Sequence, residues 1–190
     1  MIKRKTEKTT RKKSAKNEYL VDGKKYKSKA LYDAHLEFAE AVKKHLIQSF
    51  ELDTGTAKKS RYTSYKPLLD GTKFDSLMEA RYYIFLKARE KKKLIRNLEL
   101  QPSFLLQESF TKNGKKYRPI EYVADFRFQD TETGQWVIVD VKGKETVEFK
   151  LKQKLFEYHY PDLSLSVIQL YEDEWLTLAD IRKRKRESKK

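Results

Sequence analysis

Two aspartates and a lysine interrupt apolar, strand-like segments between residues 122 and 145. In WVIVDVKG, Asp140 and Lys142 are two residues apart, so they point to the same side of an extended strand. Asp125 lies in the preceding segment, YVADFRF, beyond a polar turn at residues 130–134. The turn makes the two strands antiparallel neighbours, and both carboxylates are predicted to share one face near the same end.

Carboxylates this close repel one another unless a cation neutralises them. A divalent ion such as Mg²⁺ is suited to carboxylate and phosphate oxygens, and Lys142 adds positive charge beside the pair. These groups fit metal-assisted hydrolysis of a phosphodiester, with a Lewis acid, an activated water and a cationic stabiliser. The alternative is a solvent-facing edge strand on which Asp140 and Lys142 form a weak ion pair.

Glu79 is the candidate third carboxylate, and it begins a predicted helix. The spacing Ser76-x-x-Glu79 is also that of a capping box, in which the glutamate bonds back to the start of its own helix. The sequence leaves both interpretations open.

The elements that must position these groups follow in a regular order from residue 76. The pattern predicts a helix, strands over 98–110, 121–130 and 135–143, an amphipathic helix over 146–160, and a buried strand over 163–170. Asn113-Gly114 marks a hairpin turn between the first two strands. The order predicts an α/β (α+β) fold in which helices pack on a small mixed sheet. On the 146–160 helix, Val147, Leu151, Leu155 and Tyr158 share a face.

An internal repeat precedes this region. Residues 21–52 align without gaps to residues 69–100, and ten of the 32 positions are identical. Each copy predicts an Asp-Gly turn, a short strand, a serine N-cap, a helix and a second strand. The first copy has Leu31 where the second has Glu79, so we expect it to be a non-catalytic strand–helix appendage. It is expected either to pack beside the core or to bind DNA, with an appendage of no fixed role as the alternative; the candidate DNA contacts in it are Lys24, Lys25, Lys27 and Lys29.

The predicted organisation is a basic arm over 1–17, the appendage over 18–58, a core domain over 61–174, and a C-terminal helix with a basic tail over 175–190. Residues 1–16 carry a net +7 and residues 181–190 a net +6, out of +15 for the chain. A nearly neutral body with two cationic ends favours a polyanionic partner, and nucleic acid is favoured over tails that only confer solubility.

The composition of the chain limits the kinds of structural bond, metal site and partner that it can have. The chain has no cysteine, which excludes disulfides and thiolate zinc sites and allows a reducing cytoplasm. No apolar run approaches the ~18 residues that span a bilayer. An anionic membrane surface is less favoured than nucleic acid as a partner, because neither basic end has an apolar face, so we expect no membrane partner.

The motifs resemble those of the PD-(D/E)XK nuclease superfamily, with Glu79 on a helix, Asp125 on the second core strand and Asp140-Val141-Lys142 on the third. More narrowly, LDGTKFDSLMEARYY, LELQPSF, TKNGKKYRPIEYVADFRF and VDVKG resemble a family of small phage-encoded proteins described as Holliday-junction resolvases. The resemblance covers residues 61–171. It implies a restriction-endonuclease-like α-β-β-β-α-β core and a DNA endonuclease, acting on branched or double-stranded DNA in the host cytoplasm.

The resemblance also implies site residues and partners. Asp125 and Asp140 are expected to bind Mg²⁺ or Mn²⁺, with Glu79 as a further ligand or water-orienting group and Lys142 as the catalytic cation. Junction resolution uses two active sites, so a homodimer is implied, although the sequence does not reveal one. The chain departs from the superfamily in having Ala124 before Asp125, and in having Asp140 where Glu is frequent.

The candidate DNA contacts are basic residues that follow the site in sequence or belong to the C-terminal tail, with an exposed cationic face as the alternative: Lys144, Lys150, Lys154, Arg182, Lys183 and Arg184. Two other functions remain open. One is a non-catalytic nucleic-acid-binding protein on a nuclease fold. The other is a nuclease subunit that is active only within a transposition or packaging assembly, as part of phage DNA processing.

Overall fold

A computed structural model describes residues 19–52, 66–143 and 145–188 of the chain. The predicted basic arm at 1–17, most of the polar linker and the last two residues lie outside the described residues. The helices are α1 (Lys29–Lys43), α2 (Leu77–Lys91), α3 (Val147–His159) and α4 (Leu178–Glu187). The first strands are β1 (Tyr19–Val21), β2 (Lys24–Tyr26), β3 (Phe50–Glu51), β4 (Leu68–Leu69), β5 (Thr72–Lys73), β6 (Ile95–Leu100) and β7 (Ser103–Gln107). The remaining strands are β8 (Phe110–Lys112), β9 (Lys115–Tyr117), β10 (Ile120–Val123), β11 (Phe126–Asp130), β12 (Trp136–Val141), β13 (Leu165–Tyr171) and β14 (Glu174–Thr177).

A mixed five-stranded sheet forms the centre of the molecule, in the order β14-β13-β12-β11-β6. Strands β12 and β13 are parallel and are connected by α3, whereas the other neighbours are antiparallel. The prediction of a mixed sheet with helices is therefore confirmed. Strand β14 was not predicted, and it lies across the expected end of the core domain at residue 174.

The first two predicted core strands each break into two. Gln101 has a φ of 51°, and Pro102 follows it, so the first strand divides into β6 and β7. The second divides at Ala124 and Asp125 into β10 and β11. The breaks lie side by side, because Gln101 N–H donates to the Asp125 carbonyl over 3.0 Å and Ala124 N–H to the Pro102 carbonyl over 3.1 Å. Beyond this bend, β7 and β10 leave the central sheet as a separate antiparallel ribbon.

Alternation along β12 supplies both faces of the sheet with core residues. Val139 and Val141 belong to the hydrophobic cluster that includes residues of α1 and α2, whereas Ile138 belongs to the cluster beneath α3. This is the predicted alternation, with Asp140 on the same side as Ile138.

Helix α3 packs by a face other than the apolar one that stands out in its sequence. Phe149 and Phe156 are its buried residues. Val147, Leu151 and Tyr158 remain 88%, 60% and 79% exposed. Two phenylalanines seven residues apart fill the space over the sheet, and this burial outweighs the larger number of apolar residues on the opposite face.

The two repeat copies have the same local structure. Ser28 and Ser76 are the N-caps of α1 and α2, and Lys44 and Lys92 are C-caps with the same φ of −80° and ψ of 1°. In both turns, helix side chains bond the turn aspartate: His35 Nε2 lies 3.0 Å from Asp22 Oδ2, and the Tyr83 hydroxyl donates to Asp70 Oδ2 over 2.9 Å.

The copies are joined to each other rather than separated by the linker. Strand β3 of the first pairs with β4 of the second. Asp70 Oδ1 accepts the N–H groups of Gln48 and Ser49 at 2.6 and 3.2 Å, and Arg81 forms two hydrogen bonds to Glu37, of 2.6 and 3.0 Å. The predicted appendage therefore shares one hydrophobic cluster with the central sheet.

We expect Asp70→Asn to destabilise the protein by about 1–2 kcal/mol, because it weakens two hydrogen bonds that join the copies and one to Tyr83 within the second copy. Asp22→Asn is the matched control, since Asp22 occupies the equivalent turn but its side chain is 74% exposed; we expect it to cost less than about 0.5 kcal/mol. Urea unfolding of both variants measures the difference. Equal losses would show that Asp70 does not join the copies energetically.

Candidate active site

Asp140 is a carboxylate in the interior of the protein, with only 1% of its surface exposed. It lies on β12 between the two strands that flank it in the sheet. The Tyr122 hydroxyl donates a short hydrogen bond to Asp140 Oδ2, and Lys142 Nζ lies 2.8 Å from Asp140 Oδ1. An ionised side chain at such a position requires compensating partners, and the tyrosine and the lysine provide them.

Asp125 lies at the bend between β10 and β11. Continuing the register in which Phe126 faces Val139 places Asp125 opposite Asp140. Its backbone N–H donates to the Val139 carbonyl over 3.1 Å, and its Oδ2 accepts the Val141 N–H over 2.7 Å. Burial, then the charges of Asp140 and Glu79, raise the pKa of Asp125 to about 8. The predicted meeting of the two aspartates is thus found in the structure.

Lys142 follows β12 and turns its ammonium group back toward both aspartates. Burial lowers its pKa, but the contact with Asp140 and the charges of Asp125 and Glu79 outweigh burial and raise it. The ammonium also lies 5.6 Å from the ring centre of Phe149. Lys142 is therefore a firmly charged cation, and its side chain keeps 35% of its surface exposed.

Glu79 acts as a helix cap and also lies within electrostatic range of the site. Its Oε1 accepts the Ser76 hydroxyl over 2.8 Å, and its Oε2 accepts the Asp75 N–H over 3.0 Å. Glu79 thus bonds back to the start of its own helix as expected, but through the Ser76 hydroxyl and the Asp75 N–H rather than the Ser76 backbone. Burial, as the largest cause, raises the pKa of Glu79, and its charge acts on both Asp125 and Lys142. Its role as a metal ligand stays a prediction.

Asp125 and Asp140 alone suit a divalent cation better than the predicted set of three ligands, which also includes Glu79. Asp140 Oδ1 is buried, and the Lys142 ammonium contacts it at 2.8 Å. Two neighbouring carboxylates are hard oxygen ligands, which suit Mg²⁺ or Mn²⁺. In the described ranges, however, no three Asp, Glu or His side chains lie close enough together to hold a metal ion. Both Glu79 oxygens bond to the start of its own helix.

A cleft of about 400 Å³ opens beside this group. Its lining includes Tyr122, Asp140, Lys142, Thr146, Phe149 and Lys152. It lies between the β7–β10 ribbon and the start of α3, so solvent reaches the lysine end of the site while the sheet encloses Asp140.

The predicted DNA-contacting residues differ in their surroundings. Lys154 and Lys183 are exposed, and Lys150 lies 3.9 Å from Glu145. Arg182 and Arg184 form ion pairs with Glu145 and Glu174, at 2.5 and 2.6 Å. Lys144 lies outside the described residues. The two arginines would have to exchange these carboxylates for phosphates in order to bind DNA.

Sequence reasoning missed Tyr122 and Phe149. In a straight strand, Tyr122 and Asp125 would point to opposite faces. The break at Ala124 and Asp125 removes this alternation and brings both residues to Asp140. The adjacent Gln101-Pro102 is the available signal, since a proline seldom lies inside a central strand.

The fold and the site define a mixed α/β protein in which two aspartates and a lysine meet at the bend of a central hairpin. Residues 59–172, more than half of the chain, match the family described as "Protein of unknown function (DUF1064)". The chain belongs to this family. No curated protein and no solved structure matched it. No helix in the described parts of the chain is long and apolar enough to cross a membrane.

Proposed function

We propose that this protein is a metal-dependent DNA endonuclease of the PD-(D/E)XK type. The observation that carries the proposal is the group formed by Asp125, Asp140 and Lys142. The pKa of Asp125 is raised to about 8, and the neighbouring Asp140 is buried. The charged Lys142 contacts Asp140 at 2.8 Å, and these two residues line a cleft. Perturbed ionisable groups in a cleft are typical of catalytic sites.

The element order supports the same assignment. Helix α2, strands β6, β11 and β12, helix α3 and strand β13 follow one another as α-β-β-β-α-β. The four strands of this series lie in one mixed sheet, in which only the neighbours β12 and β13 are parallel. This is the order expected for a restriction-endonuclease-like core, with the β7–β10 ribbon as an extension of its first hairpin.

Asp125 and Asp140 would hold Mg²⁺ or Mn²⁺, which supplies a Lewis acid and lowers the pKa of a bound water when present. The chain's own groups fix the geometry. Tyr122 orients Asp140 through its hydroxyl, and the Val141 N–H orients Asp125. Lys142 offers a positive charge where negative charge develops on a phosphate during hydrolysis.

The charge of the chain supports DNA as the substrate class. The net +15 concentrates at the two ends, which favours contacts to phosphates that are independent of sequence and weaken with salt. Branched DNA, such as a Holliday junction, follows from the resemblance described above and is the finer part of the proposal.

The test is incubation of the purified chain with labelled four-way, forked, nicked and linear DNAs, with Mg²⁺ or Mn²⁺ and with EDTA. We expect cleavage with metal only, and fastest cleavage of the branched substrates. Binding without cleavage on every substrate would favour the non-catalytic DNA-binding alternative. Cleavage that appears only after addition of a phage DNA-processing partner would favour the assembly subunit.

A further inference from the structure

Strands β8 and β9 form a hairpin arm, residues 109–118, that buries none of its own residues. Every residue from 107 to 119 is exposed. Asn113 and Gly114 at its tip have φ values of 52° and 72°, as a tight two-residue turn requires. An isolated two-stranded hairpin is marginally stable in water. Side-chain contacts within the arm, or contacts with a bound partner, must therefore stabilise it.

The arm presents a stacked aromatic pair to solvent. Phe110 and Tyr117 face each other in the register, with ring centres 4.6 Å apart and planes 6° apart. They remain 43% and 38% exposed. The pair stabilises the hairpin, and the part of each ring that remains exposed can contact another planar group.

Cations surround these rings. Residues 109–118 include Lys112, Lys115, Lys116 and Arg118 and no acidic residue. Lys115 Nζ lies 5.1 Å from the Tyr117 ring centre. Within the described ranges, none of the four forms a salt bridge, in contrast to Arg182 and Arg184 on α4. Positive charge together with exposed aromatic rings matches the phosphates and base faces of a nucleic acid strand.

The arm is also continuous with the active site. Strands β7 and β10 carry it, and β10 ends at Val123, two residues before Asp125. From Tyr117 to Asp125 the backbone spans at most about 28 Å. A strand bound to the arm therefore lies within roughly one helical turn of DNA, about 34 Å, from the cleft.

We propose that the hairpin arm binds unpaired nucleotides, with bases stacking on Phe110 and Tyr117 and phosphates bound by Lys112, Lys115, Lys116 and Arg118. Unpaired bases are the specific ligand, because bases within an intact duplex do not offer free faces. The identification of the nucleic acid as DNA rests on the proposed function. The arm would then hold the unpaired strand near a branch point and direct the adjoining phosphate to Lys142.

The first test compares the full chain with Phe110→Ala/Tyr117→Ala. Fluorescence anisotropy in EDTA measures the Kd for a labelled single-stranded oligonucleotide and for a duplex of the same sequence. We expect binding of the single strand to weaken about tenfold or more, and binding of the duplex to change less than about threefold. Tyr158→Ala is the matched control, since Tyr158 is 79% exposed on α3. Equal losses on both DNAs, or no loss, would overturn the stacking role.

The second test concerns the cations. Lys112→Ala/Lys115→Ala/Lys116→Ala is expected to lower the slope of log K against log salt for single-stranded DNA by about 2, at roughly 0.7 for each phosphate contact. Lys43→Ala/Lys73→Ala/Lys92→Ala removes three exposed lysines elsewhere and is expected to leave the slope nearly unchanged. An equal effect of both variants would show that the arm contributes only general charge.

Failure of the inference and failure of the proposed function are distinguishable, because binding in EDTA does not depend on cleavage. If the arm variants lose single-strand binding and the wild type cuts nothing with metal, the arm inference stands and the nuclease proposal fails. If the wild type cuts and the arm variants bind and cut like it, the arm inference fails alone.

Discussion

Asp140→Asn is expected to lower metal-dependent DNA cleavage by about 10³-fold or more while DNA affinity stays within about threefold. The amide keeps the size and shape of the carboxylate, so Tyr122 retains a partner and the buried position stays filled. It removes the negative charge that would hold a cation and pair with Lys142. Affinity is preserved because cations elsewhere on the chain supply most of the phosphate contacts.

The measurement is single-turnover cleavage, with DNA binding in EDTA as the second readout. Asp162→Asn is the matched control, since Asp162 is an exposed aspartate after α3. Lys142→Ala should reproduce the loss of cleavage, because it removes the only cation in ion-pair contact with Asp140 among the described residues. Undiminished cleavage by purified Asp140→Asn would contradict the assignment of the site.

Asp125→Asn is expected to make the metal-free protein more stable at neutral pH. An aspartate in an unfolded chain has a pKa of about 3.9, whereas that of Asp125 is raised to about 8 in the fold. Between these values the folded state holds a proton that the unfolded state has lost, so stability falls as pH rises through this window. From about pH 5.5 to about pH 7.5 the loss amounts to ~2–3 kcal/mol.

Urea unfolding in EDTA at both pH values measures this effect. The wild type should lose stability across the interval, and Asp125→Asn should lose much less. The raised pKa of Glu79 acts in the same direction, so a smaller slope is expected to remain in the variant. Adding Mg²⁺ should restore stability to the wild type but not to Asp125→Asn, because only a folded site binds the ion. Identical pH profiles for the two proteins would contradict the raised pKa.

The meeting of Asp125 and Asp140 was predictable from local rules. A period of two puts Asp140 and Lys142 on one side of their strand, and a short turn fixes the strand partner. The bend at Gln101 and Asp125 was not predictable in this way, because it depends on hydrogen bonds between segments distant in sequence. It removes the strict alternation, and for that reason Tyr122 was missed as the partner of Asp140.

Two further features depend on tertiary packing: the face of α3 that is buried and the position of Glu79 relative to Asp125. Apolar residues on α3 outnumber the two phenylalanines that the helix buries, so counting alone favours the wrong face, and only the shape of the space over the sheet identifies Phe149 and Phe156. The sequence predicted the capping role of Glu79 from the spacing Ser76-x-x-Glu79. Its nearness to Asp125 was not, because that distance depends on where α2 lies against the sheet.

The pairing of β3 with β4 crosses the N-terminal end of the family match. The family match begins at residue 59, between two strands that are hydrogen-bonded to each other. The stretch that relatives share by sequence is therefore smaller than the body that shares one apolar interior, in which Phe38 and Phe126 belong to the same cluster. The first repeat copy, with Leu31 in the position of Glu79, therefore packs against the second copy and supports the sheet that carries the candidate site.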